Sequence, residues 1–172
     1  MVTSKHLITD SSFTINLVRG FSRLCQVYLT FHKAGEKSIT EFWHPCNNNV
    51  PTVASDNCSL QISIGSKRYP ERPMSSVAEQ WLRLREAAGT FYGESDISIL
   101  PTDFVNRKGL FGWDLEKCGH QGASHSALST KNGDILTLDV KNCGLGAGDY
   151  ALVYFVFENL FSLRDGSVDV YD

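Results

Sequence analysis

Neither sign of charge is in surplus in this 172-residue chain: 16 Lys and Arg stand against 19 Asp and Glu, a formal charge of −3. A chain so balanced has no basic excess to match a phosphate backbone, which argues against direct, sequence-specific nucleic-acid binding. Cysteine is sparse and odd in number. Cys25, Cys46, Cys58, Cys118 and Cys143 include no Cys-x-x-Cys pair and are widely spaced. That excludes a disulfide framework and a zinc ribbon, and leaves reduced, mostly buried thiols. No run of about 18 apolar residues occurs, so no helical membrane span is expected. Asp10, Asn16 and Arg19 interrupt the opening segment, which reads as no signal peptide, and the sequon at Asn57-Cys58-Ser59 is discounted with it. Catalytic signatures are missing too: there is no Gly-x-Ser-x-Gly, no His-Glu-x-x-His and no His-x-His pair.

What the chain does have is alternation. Phe13, Ile15 and Leu17 share one face of a period-two run, as do Cys25, Val27, Leu29 and Phe31. So do Leu60, Ile62 and Ile64, then Leu136, Leu138 and Val140, then Val168 and Val170. Successive side chains on a strand point to opposite faces, so each run predicts a strand with one buried side. The stretch Tyr150 to Phe157 is apolar on both faces, which predicts a central strand or one whose outer face meets a neighbour. Asn132-Gly133 and Asp165-Gly166 supply residues that tolerate positive φ, and predict two antiparallel hairpins.

One stretch, near residues 76–88, breaks this rhythm. Ser76 and Glu79 fit a capping box; Val77, Trp81, Leu84 and Ala88 form one helical stripe; Glu79 and Arg83 are spaced to pair; Gly89 is a stop. Strands, hairpin turns, one amphipathic helix and no βαβ alternation predict an all-β fold. The expected form is a single domain, residues 1–172, built as an antiparallel jelly-roll sandwich of two four-stranded sheets with one inserted helix.

Candidate chemistry is thin. Gly144, Gly146 and Gly148 suggest a phosphate loop, but a β-forming run follows where a helix N-terminus is needed, so a plain connection is expected. Cys118, His120 and His125, and the pair His44 and Cys46, are zinc-type donors without the spacing of paired ligands. Asp165 and Asp169 read as turn and solvent-face acids. Trp81 belongs to the helical stripe, whereas Trp43 and Trp113 are candidates for stacking on a sugar, placed in loops. No catalytic, cofactor-binding or metal-ligating residue is therefore expected.

Several stretches taken together resemble one family. They are Arg23 to Phe31, Phe42 to Pro45, Leu60 to Gly89, Phe111 to Ala123, Gly133-Asp134 before an apolar strand, and the closing LFSLRDGSVDVYD. In order and content they look like the C-terminal jelly roll of the double jelly-roll major capsid protein of Polinton-like and adinto-type viruses. Virophage capsid proteins and, more distantly, adenovirus hexons are its relatives. The most specific piece is IGSKRYPERP with the capped helix after it. The resemblance implies a structural, non-enzymatic protein of the virion, made in the host cytoplasm or nucleus and free of cofactors. The partners implied are copies of itself, as a trimer and then an icosahedral shell, and a penton-type minor capsid protein. A counterpart of the first jelly roll is missing, so a fragment or a truncated, endogenised and intracellular copy is expected. The alternative from the residues themselves is a ligand- or carbohydrate-binding β-sandwich.

Overall fold

The computed structural model describes residues 2–34, 58–89, 99–106, 108–116, 127–130 and 134–158, and the backbone of 160–164 and 167–171. In chain order the elements are β1 (Val2–Leu7), β2 (Phe13–Leu17), β3 (Leu24–His32), β4 (Ser59–Ile64) and β5 (Lys67–Met74). The helices α1 (Val77–Ala87) and α2 (Pro101–Asn106) follow. Then come β6 (Leu110–Asp114), β7 (Leu136–Lys141), β8 (Tyr150–Phe157), β9 (Leu160–Arg164) and β10 (Ser167–Tyr171).

Two four-stranded sheets form, in the orders β1-β8-β3-β6 and β2-β7-β4-β5, with every pairing antiparallel. The first strand pairs with the eighth, the second with the seventh, the third with the sixth and the fourth with the fifth. A long hairpin rolled onto itself gives this order, and alternate pairs fall into opposite sheets; it is a jelly roll. The all-β sandwich of two four-stranded sheets is thus the observed fold. β9 and β10 form a separate two-stranded ribbon in which Arg164 faces Ser167, as the Asp-Gly turn predicts; Asp165 and Gly166 themselves lie outside the described residues.

The core lies between the sheets and follows the alternation. Val27, Leu29, Phe31, Val153, Phe155 and Phe111 point inward from one sheet. Ile15, Leu17, Leu60, Ile62, Leu136, Leu138 and Val140 meet them from the other, all buried. Each such side chain stabilises the fold by roughly 1.5–3 kcal/mol of transfer free energy. An aromatic edge links the layers, Phe13 of β2 meeting Phe31 of β3 at 6.4 Å and 89°; within its own sheet Phe31 meets Phe111 of β6 at 5.5 Å.

The inserted helix forms as its signals predict. The Ser76 side chain accepts a hydrogen bond from the Glu79 amide at 3.2 Å, and Gly89 ends the helix at φ 72°. Its buried stripe is rotated by one position from the predicted one: Gln80, Leu84 and Ala87 lie deepest, and Val77 and Trp81 pack at the margin. Arg83 pairs with Glu86 at 2.8 Å rather than with Glu79, because the i+3 position offers a closer carboxylate.

Four elements go beyond the sequence expectation. α2 is a second, six-residue helix whose Phe104 is fully buried against Phe111. β1 and β6 are strands that the alternating runs do not predict. β5 carries Pro70 and Pro73 yet is a strand: it lies at the sheet edge, and its register against β4 jumps from Tyr69 to Met74, so neither proline is asked for a ladder hydrogen bond. One expectation fails. The hairpin at Asn132-Gly133 would pair the segment before it with β7, but β7 is flanked by β2 and β4 instead; Asn132 and Gly133 themselves lie outside the described residues. Leu128 bridges to Leu24, in the other sheet.

Candidate interaction surface

The strand predicted to need cover on both sides is β8. It is central in its sheet, between β1 and β3. Ala151, Val153 and Phe155 face the core, while Tyr150, Leu152, Tyr154 and Val156 face outward and are only half-buried. Cross-strand register places Lys5, Thr3 and Leu7 of β1 on one side of this row, and Gln26, Tyr28, Thr30 and His32 of β3 on the other.

Helix α1 covers the far half of this outer face. The Tyr28 hydroxyl donates to the Ala87 carbonyl at 2.9 Å, and Gln26 Oε1 lies 3.1 Å from the same oxygen. Gly112, opposite Tyr28 on β6, lets the helix approach: a Cβ there would stand 3.0 Å from that of Ala87. Burial, and secondarily the Asp114 carboxylate, push the Tyr28 phenol up to about 12.

Over β8 and β1 no described element packs. The surface there is ordered by its own contacts. His32 stacks on Tyr150 at 4.9 Å and 4°, and Lys5 Nζ lies 4.1 Å from the centre of the same ring. A ring stacked on an imidazole and in contact with an ammonium has its rotamer set before binding, and pre-ordered aromatic surface loses little entropy when a partner arrives. Leu7, 73% exposed, extends the patch towards the sheet edge. Around that edge, Val2, Ser4, His6, Leu17, Val18 and Phe155 line an open groove of about 230 Å³ between β1 and β2. Ser4 Oγ and His6 Nε2 are hydrogen-bonded there at 2.8 Å, and burial lowers the His6 pKa.

The other sequence candidates separate cleanly. Trp113 is not in a loop: it sits on β6, faces the core and is 2% exposed, so it has no face to offer a sugar. Trp81 packs beside the core, its Nε1 donating to the Ile99 carbonyl at 3.4 Å and Arg85 lying 5.0 Å from its ring. The glycine segment is a connection, as expected. Asp149 accepts from the amides of Gly146 and Ala34, so a carboxylate of the chain itself takes the donors a phosphate would need. Trp43, His44, Cys46, Cys118, His120, His125 and Asp165 lie outside the described residues. Asp169 pairs in register with Ser162 within the β9–β10 ribbon.

Metal-type donors do converge elsewhere, at Cys25, Glu116 and Glu158. Sequence reasoning missed them because no short spacing links them; only the pairing of β3 with β6 and β8 brings them together. On the opposite sheet, Ser59, Gln61, Arg68, Asp139 and Lys141 line a polar hollow of about 120 Å³. No family model matches the chain, and no curated protein is detectably similar in sequence.

Proposed function

We propose that this protein is a capsid-type structural subunit that works by associating with copies of itself, as a trimer and then a larger shell. The observation that carries this reading is the outward face of β8 with β1. It is aromatic, pre-ordered by the His32–Tyr150–Lys5 stack, and bare of other described elements. The jelly-roll strand order supports it, as does the resemblance of the segment from Leu60 to Gly89 to capsid proteins. A contact of ordinary size removes about 1,600 Å² from water in total. At about 25 cal/mol per Å² the apolar part supplies the driving force, from which the costs of association and side-chain ordering are subtracted. Location in a virion and recruitment of a minor capsid protein belong to the same proposal.

Light scattering and sedimentation over a dilution series test it. Trimers or larger particles are expected for the unaltered chain. Leu152→Asn with Tyr154→Ser is expected to shift the population towards monomer while circular dichroism remains that of a β-sandwich. A monomer at every concentration would refute the proposal.

A further inference from the structure

The structure assigns a second site that the assembly reading does not use. We propose that Cys25, Glu116 and Glu158 bind one divalent cation of the zinc class, which clips together the ends of β3, β6 and β8. The three donor atoms, one sulfur and two carboxylate oxygens, all lie within 4.8 Å of one another. Ligands around a tetrahedral zinc, with bonds of about 2.0–2.3 Å, stand roughly 3.5 Å apart, so the donors draw together by about an ångström to share one ion. Three distant parts of the chain supply the donors, and the backbone fixes each of them. The Leu115 amide donates to the Cys25 carbonyl at 2.9 Å, and the Glu158 amide to the Arg23 carbonyl at 3.0 Å.

Local backbone geometry serves the site. The register of β3 against β8 slips between Leu24 and Gln26, so Cys25 is the extra residue of a bulge. A bulge re-aims a side chain. Here the thiol, 4% exposed, comes to lie with two half-buried carboxylates at the rim of the sandwich. The donor mix suits zinc rather than magnesium or calcium, which prefer oxygen alone. Without metal, burial, then the Glu158 charge, then a hydrogen bond to Glu116 push the thiol up to about 12. A bound dication reverses that preference: the metal–sulfur bond forms, the S–H bond breaks, and one proton leaves to solvent. Arg23, whose Nη1 is 3.8 Å from Glu158 Oε2, stays outside the coordination shell and orients that carboxylate.

The test uses the full chain, stripped with a chelator and titrated with zinc, and in parallel with cobalt. One equivalent of zinc is expected to bind, releasing about one proton and raising the melting temperature. The cobalt form is expected to show thiolate-to-metal charge-transfer absorption. Cys25→Ser should abolish that band, and Glu116→Gln and Glu158→Gln should each weaken binding at least tenfold; the two glutamine variants keep the test valid should the cysteine variant fold poorly. Absence of binding would overturn the proposal. So would zinc retained in Cys25→Ser and lost in His120→Ala. Neither result bears on self-association, which is read separately by mass.

Discussion

Tyr28 ties helix α1 to the sheet, and its removal gives a quantitative test of how that helix is held. Tyr28→Phe keeps the ring against Gly112 and deletes only the hydroxyl, which donates to Ala87 O at 2.9 Å. A lost hydrogen bond of this kind costs about 1 kcal/mol, and more where the carbonyl left behind is buried; about 1.5 kcal/mol is the expected loss near pH 7. In a chain of this length that lowers the melting temperature by roughly 3–6 °C. The pH dependence carries the sharper test. The phenol titrates at about 12 in the folded chain against an ordinary value of 10.0. The folded state therefore holds the proton more tightly than the unfolded one. Its contribution is complete below about pH 10 and is lost as pH rises towards about 12. At about pH 11 linkage removes ~1.4 kcal/mol, or about 1 kcal/mol after discounting for the exposed part of the ring. Urea unfolding of both proteins near pH 7 and about pH 11 checks this, because every other titrating group cancels in the difference. The gap between wild type and variant should shrink by more than half at the higher pH. An equal gap at both would show that the hydroxyl is neither buried nor bonded to the helix end as described.

Other expectations follow from the same contacts. Ser76→Ala removes the side chain that caps α1 and should cost about 1 kcal/mol in chemical denaturation, with Ser76→Asp close to neutral. Leu138→Ala, in the middle of β7 and fully buried, should cost about 2–5 kcal/mol, enough to leave a substantial unfolded fraction on heating. Gly65→Ala puts a Cβ 2.6 Å from Asp134 Oδ1 at φ 57°, and should destabilise by about 1 kcal/mol or more, read as a lower melting temperature. Burial raises the thiols of Cys25 and Cys143, so alkylation of the native protein followed by peptide mass mapping should find both unmodified until denaturant is added.

How much of this could be read in the amino acids depends on whether the signal is local. Leu136, Leu138 and Val140 alternate strictly and are buried as predicted, because an inner strand of a sandwich has one wet and one dry face. Ser76 and Gly89 mark α1 correctly because caps are satisfied within a turn. β1 was hidden because its inward positions include Ser4 and His6, and its order comes from pairing with β8. β5 was hidden by two prolines, which count against a strand until the edge position is known. The misplaced hairpin at Asn132-Gly133 has the same origin: a turn signal names a bend, not the strands on either side. Trp113 beside the acidic Asp114 reads as a loop residue, yet it is a core residue of β6, and Gly112 next to it clears room for α1. The Cys25 cluster was illegible for the plainest reason, since its members meet only once three strands are in register.

The pairing of β1 with β8 has a consequence for biosynthesis. Among the described residues, 2–7 find their strand partners only at 150–155, and 13–17 theirs only at 136–140. While the ribosome is still at work, the leading strands have nothing to join, and the sandwich closes only after the eighth strand emerges. Contacts so distant along the chain make for slow folding, in the range of milliseconds to seconds, during which unsatisfied strand edges are open to neighbours. Until then the edges of the first strands are the surfaces most open to pairing with another copy.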